Sequence, residues 1–234
     1  MSDVHPRVAA ALSAQLARWR AALDGGERRI GWKLGLNFPE VEAVIGREPI
    51  IGYLTTGTLL ATGESYSPRD GAQLRAETEV ALVIGEDVAA DANADTARAA
   101  IVGAAVALEI VDVSRPPADL EEIVVENAFH RAFVLGPARR IDPSRREGRL
   151  LVNGNLRASA TAGADHGDVV RAVAQLLAAA GGEQLQRGDH ILCGALTHVA
   201  IQPGDEINAE IQTLGAVTVT IARKPRRPAS MGAA

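Results

Sequence analysis

Hydrophobic residues recur at helical spacing near the start of the chain, where Val8, Leu12, Leu16, Trp19 and Leu23 fall on one face of a helix that Gly25-Gly26 ends. After it the pattern breaks into shorter runs. Arg29–Leu36 reads as a strand punctuated by glycines, with Gly31 and Gly35 two residues to either side of Lys33, and it leads into a loop or short helix through Val44 and a turn around Pro49. The run 75–84 is a strand, 93–103 a helix, and Ala104–Asp112 a second strand; this order brings the two strands close together. Pro116-Pro117 opens a short helix through Val125, and Ala132–Leu135 is a further strand. Asn153-Gly154, between two alternating runs, is a hairpin turn because both residues accept positive φ. An alanine-rich amphipathic helix covers 167–180, Gly188 and Gly204 each introduce a strand, and Val217–Ile221 is the last one. Many strands with a few helices and no regular βαβ alternation predict an α+β fold with mixed or antiparallel sheets.

Two acids break the apolar pattern of the 75–84 strand. Glu77 and Glu79 are two residues apart, so they share a face, with Cα atoms about 6.5 to 7 Å apart. In the next strand alternation groups Glu109 with the small residues Ala105 and Ala107, which leave room for a ligand. If the three converge, each ionised pair at about 4 Å repels by roughly 4 kcal/mol at an effective dielectric of 20, and a hard divalent cation such as Mg²⁺ or Mn²⁺ offsets that. An all-carboxylate set suits zinc less well. The same spacing also fits two solvated acids on an edge strand, with Glu109 paired to an arginine.

Composition narrows the classes. The 234 residues are 47% hydrophobic and 23% charged, enough for a substantial core. A net charge of -5 and seven aromatic side chains give no footprint for nucleic acid, and the four basic residues within 223–228 do not supply one. No apolar stretch approaches a membrane span. The lone Cys193 excludes an intrachain disulfide and a cysteine-rich zinc site, fits a reducing cytoplasm, and reads as a core residue. A phosphate-cradling glycine loop, a nucleophile elbow and a His-Glu-x-x-His helix are all missing from the sequence. No compositional break divides the chain. It reads as one catalytic domain over 1–228, with the N-terminal helix inside 1–26 and a flexible tail at 229–234.

Three further residues carry candidate chemistry. Lys33 is either solvated or, beside a metal, a proton shuttle with a depressed pKa. His130 is either structural or an acid-base group, since imidazole titrates near neutrality. Asn127 either binds a substrate carbonyl or caps the preceding helix.

Taken in order, Gly31-Trp-Lys-Leu-Gly-Leu36, Pro49-Ile-Ile-Gly52, Glu77-Thr-Glu79, Leu108-Glu-Ile-Val-Asp112, Asn127, Leu192-Cys-Gly194, Pro203-Gly-Asp205 and Leu214-Gly-Ala-Val217 make a set. It resembles the 2-keto-4-pentenoate hydratase and 4-oxalocrotonate decarboxylase family, within the fumarylacetoacetate hydrolase superfamily, from about residue 29 to residue 221. The resemblance implies a mixed-sheet roll like the C-terminal domain of that superfamily. It also implies Mg²⁺ or Mn²⁺ on Glu77, Glu79 and Glu109, Lys33 as the active-site lysine, and Leu36 and Thr197 as substrate contacts beside Asn127. The implied substrate is a small 2-oxo acid, and the implied assembly a homo-oligomer. The first expected activity is hydration of a 2-hydroxy-2,4-dienoate. Alternatives are decarboxylation of a 4-oxalocrotonate-like acid, acylpyruvate carbon–carbon hydrolysis using His130, or a metal-binding scaffold without turnover. Hydratases of the family carry an acid just after the proline, where this chain has Ile50-Ile51, and an aspartate where it has Glu126. The N-terminal region is also shorter than is usual. The apolar pair leans away from hydration unless His130 substitutes for the acid.

Overall fold

The computed structural model describes residues 6–35, 50–115, 120–140, 142, 145–161, 163 and 165–223. The expected elements around Val44 and Pro49, the Pro116-Pro117 helix start, Leu36 and the 229–234 tail lie outside the described residues. Helix α1 (Pro6–Asp24) is followed by strands β1 (Arg29–Gly35), β2 (Ile50–Thr55), β3 (Leu59–Leu60), β4 (Ser65–Tyr66) and β5 (Leu74–Ile84). Helix α2 (Ala94–Ala99), β6 (Ile101–Asp112), α3 (Leu120–Val125), β7 (His130–Leu135) and the hairpin β8 (Glu147–Val152) and β9 (Asn155–Thr161) come next. The chain continues through α4 (His166–Gly181), β10 (His190–Leu192), β11 (Thr197–Ala200), β12 (Glu206–Ile211) and β13 (Gly215–Ile221).

An eight-stranded sheet runs β2-β1-β10-β5-β6-β7-β3, with β11 also paired to β5, and a five-stranded sheet runs β4-β13-β12-β8-β9. Parallel pairs β1–β10 and β3–β7 sit among antiparallel ones, so the larger sheet is mixed, as an α+β fold requires. The hairpin turn has Asn153 at φ 53° and Gly154 at φ 76°, the positive pair that a tight turn demands. Helix α4 begins on Asp165, whose side chain accepts from the Gly167 and Asp168 amides, and ends on a left-handed Gly182.

Two sequence expectations shift. The helix expected over 93–103 stops at Ala99, because Ile101 and Gly103 pair with Ile84 and Val83 and so join β6. Cross-strand pairing outweighs the helical propensity of the alanines. β2 replaces what reads as little more than a turn after Pro49: Ile50 and Ile51 are fully buried and pair with Gly35 and Leu34.

The larger sheet buries apolar side chains on both faces. Its outer face shares the main core with the helices and the smaller sheet; α1 contributes Val8, Leu12, Leu16 and Trp19 and packs on α3 and α4. Across its inner face Leu54, Ala81, Ala105, Ala107, Phe133 and Leu192 form a second buried cluster. The acids emerge beside this second cluster. Among the described residues no helix is long and apolar enough to cross a membrane.

Candidate metal centre

β5 is an interior strand, flanked by β6 on one side and by β10 and β11 on the other, so its acids do not face water along an edge. In the β5–β6 register Glu77 lies directly opposite Glu109, and Glu79 opposite Ala107. Glu77, Glu79 and Glu109 are all buried, and each offers one carboxylate oxygen within 4.8 Å of the others. The alternation read from the sequence therefore places three acids on one patch of the inner face.

Each carboxylate has a partner that orients it. Glu109 Oε1 accepts from Lys33 Nζ at 2.5 Å and from His130 Nδ1 at 2.7 Å, while Glu109 Oε2 is buried with no hydrogen-bond partner among the described residues. Glu79 is served by a local irregularity. Cys193 N donates to Val80 O and Leu196 N to Thr78 O, so the segment between β10 and β11 steps past Glu79, and Gly194 N–H donates to Glu79 Oε2 at 2.8 Å. Glu77 Oε1 receives His198 Nδ1 from the paired position on β11.

Charge and burial set the protonation pattern. Burial pushes Glu79 well above the usual carboxylate range, and the negative charges of Glu109 and Glu77 push it further. Burial would raise Glu109 too, but the Lys33 ammonium and the His130 hydrogen bond overcome that and hold it down at about 2. Burial works to lower Lys33; the carboxylates of Glu109, Glu77 and Glu79 outweigh it and leave the lysine above its ordinary value. The depressed lysine expected beside a cation is thus reversed when the three carboxylates alone surround it. Burial lowers His130 against the pull of Glu109, so the ring is neutral near pH 7. Nδ1–H then donates to the ionised Glu109, and Nε2 accepts the Thr58 hydroxyl at 2.9 Å.

Lys33 is 2% exposed and also donates to Ala128 O at 3.1 Å. That carbonyl is aimed by three consecutive residues at positive φ, Asn127, Ala128 and Phe129. Asn127 spends its amide on β2: Oδ1 accepts from Tyr53 N at 2.7 Å and Nδ2 donates to Tyr53 O at 2.8 Å. Thr197 Oγ1 accepts from Thr78 N at 3.1 Å within the β5–β11 ladder. The glycine that makes room for the lysine is Gly52, since a Cβ there would lie 2.7 Å from Asn127 Oδ1 and 2.9 Å from Lys33 Cγ. Gly31, at φ 151°, instead allows β10 to approach, as a Cβ would meet His190 O at 2.0 Å.

The structure thus brings Lys33, His130, Glu77, Glu79 and Glu109 into one site and ties Asn127 and Thr197 to neighbouring backbone. His198 is the residue that sequence reasoning missed; only the β5–β11 register, which sets it beside Glu77, could have found it. Three buried oxygen ligands, one of them with an orphaned oxygen, fit a hard divalent cation such as Mg²⁺ or Mn²⁺.

Fold and site together define a β-roll with a buried three-carboxylate patch suited to a divalent cation. Residues 32–222 match the family model of the fumarylacetoacetate (FAA) hydrolase C-terminal domain, and the chain belongs to that family. Among curated relatives, the TodF product hydratase of Pseudomonas putida (strain F1) is 33% identical over 92% of this chain and 84% of its own length. The 4-oxalocrotonate decarboxylase of a Pseudomonas species is 29% identical over 84% of this chain and 80% of its own. A solved 4-oxalocrotonate decarboxylase from Pseudomonas putida G7, complexed with magnesium and adipate, superposes with a TM-score of 0.80 at 23% identity, covering 90% of this chain and 84% of that one. A fumarylpyruvate hydrolase from Pseudomonas aeruginosa, in complex with Mn²⁺ and pyruvate, reaches a TM-score of 0.63 at 19% identity, over 83% and 89%.

Proposed function

We propose that the chain is a Mg²⁺- or Mn²⁺-dependent lyase for unsaturated 2-oxo acids, with hydration of a 2-hydroxy-2,4-dienoate as its first reading. The observation that carries this is the pairing of Lys33 with a carboxylate whose other oxygen is orphaned. Glu77, Glu79 and Glu109 would hold the ion, which supplies Lewis-acid stabilisation of negative charge developing on the substrate's 2-oxygen. Lys33 carries a proton at Nζ beside that position and passes it to or from the substrate. His130 and His198 fix the aim of Glu109 and Glu77. The apolar inner cluster keeps water from the deep side, where it would weaken every charge interaction.

Decarboxylation of a 4-oxalocrotonate-like acid is the second reading, favoured by two observations. Ile50 and Ile51 are buried and apolar where a water-activating acid would stand, and both nitrogens of His130 are engaged, by Glu109 and Thr58. Acylpyruvate hydrolysis keeps the histidine–acid contact it needs, since His130 Nδ1 lies 2.7 Å from Glu109 Oε1. The test is to incubate Mn²⁺-loaded protein with 2-hydroxypenta-2,4-dienoate and with 4-oxalocrotonate, following absorbance and CO₂ release. Loss of absorbance with the dienoate supports hydration, CO₂ from the diacid supports decarboxylation, and turnover of neither overturns both. An assembly of several copies and a cytoplasmic location accord with this activity; size by light scattering tests the first.

A further inference from the structure

Strand β2 ends the larger sheet, so every second residue turns its backbone N–H and C=O away from β1. Two buried carboxamides take these groups. Asn127 serves Tyr53 N and O, and Gln15, 0% exposed on α1, donates through Nε2 to Ile51 O at 3.2 Å. The second Nε2 hydrogen goes to Val124 O in the last turn of α3 at 2.6 Å, the carbonyl that also accepts from Asn127 N at 3.0 Å. Turning the Gln15 amide over would set Oε1 against two carbonyl oxygens, so its partners fix which atom is which. Oε1 is buried without a hydrogen-bond partner among the described residues, which costs free energy that an apolar side chain of the same length would avoid. What the amide adds over such a side chain is the two donated bonds.

Those bonds converge on the lysine. Between Ile51 and Tyr53, Gly52 faces Lys33 across the β1–β2 register, where a Cβ would meet Lys33 Cγ. Just past α3 the chain bends through Asn127, Ala128 and Phe129 at φ 67°, 51° and 65°, a run that non-glycine residues keep only where their surroundings hold it. Ala128 O, in the middle of the bend, accepts from Lys33 Nζ at 3.1 Å. We infer that Gln15 is a positioning residue for Lys33: by tying β2 to the root of the bend, it holds both Ala128 O and the space at Gly52 where they set the ammonium. The inference rests on the reading of Lys33 as the proton-transfer group, and it makes the N-terminal helix part of the catalytic apparatus.

The test is kinetic, on Mn²⁺-loaded protein with whichever of 2-hydroxypenta-2,4-dienoate and 4-oxalocrotonate the native protein turns over. Gln15→Met keeps the length and apolar packing of the side chain and removes both donors. Its kcat should fall by about ten- to a hundredfold, the scale of a misplaced catalytic group, with KM and Mn²⁺ affinity within about twofold of native. Gln15→Glu, which keeps one donor when protonated, should lie between the two and carries the comparison if Gln15→Met does not fold. Added to Lys33→Ala, either change should cost no further turnover, since the effect passes through the lysine. Native kcat in these variants, a loss that falls on KM or Mn²⁺ affinity, or a further loss in the Lys33→Ala background overturns the role of Gln15 and leaves the lyase reading intact. Turnover of neither substrate by the native protein overturns that reading and the role of Gln15 with it.

Discussion

Strand β1 carries two ion pairs, one half-buried and one fully buried, and they are built differently. At its start Arg29 grips Asp189: Arg29 Nε donates to Oδ1 at 2.6 Å, a second guanidinium nitrogen donates to Oδ2, and Trp32 Nε1 and Gln186 N donate to Oδ2 at 3.2 and 2.9 Å. The guanidinium also lies over the Trp19 and Trp32 rings, 5.5 and 5.0 Å from their centroids. Four donors meet the roughly four acceptor sites of that carboxylate. At the other end of β1 both donors to Glu109, from Lys33 and His130, crowd onto one oxygen and leave the second orphaned. A saturated carboxylate has nothing left to give a ligand; an unsaturated one, beside two more acids, does. Counting donors per oxygen thus separates a carboxylate whose bonding is spent within the fold from one with an oxygen left for a ligand.

The largest test of that contrast removes a ligand carboxylate. Glu79→Ala should abolish Mn²⁺ binding in a calorimetric titration and abolish turnover with it, while the protein stays folded, because three crowded acids become two. Lys33→Ala should retain the metal and lower turnover by about 10²- to 10⁴-fold, the range of a lost proton-transfer group; full activity in this variant would refute its role. On the structural side, Asp189→Ala strands Arg29 and should cost about 3–5 kcal/mol in denaturant unfolding with Mn²⁺ affinity retained. An unchanged unfolding midpoint would mean the saturated pair does not hold the fold. The smallest effect belongs to His198→Ala, which frees Glu77 to rotate and should weaken Mn²⁺ binding by about 10- to 100-fold, read by calorimetry.

The acids were legible in the sequence because a strand's period of two makes a polar residue on a buried face an anomaly, and Glu77, Glu79 and Glu109 were all such anomalies. Lys33 stood out for its glycines, although the one that matters for its packing is Gly52, on a strand the sequence did not reveal. β2 was hidden because a proline, two isoleucines and a glycine read as readily as a turn. His198 gave no local signal at all: a histidine in an exposed-looking Thr-His-Val-Ala run becomes notable only when pairing brings it against Glu77, 121 positions away. Asn127 shows the same limit, since neither a substrate contact nor a cap anticipates an amide that imitates a β-ladder with Tyr53.

That ladder mimicry bears on how freely the gene can drift. Position 52 is wedged between the Asn127 amide and the Lys33 side chain, so any side chain larger than hydrogen there pushes on both at once. A random library at this codon should return glycine almost alone among active clones. The neighbouring Ile51, whose carbonyl accepts from Gln15 Nε2 on α1, packs its side chain fully buried in the main core and should accept apolar side chains of similar volume. Two adjacent codons would then show opposite tolerance, one set by the space beside a lysine and the other by little more than volume.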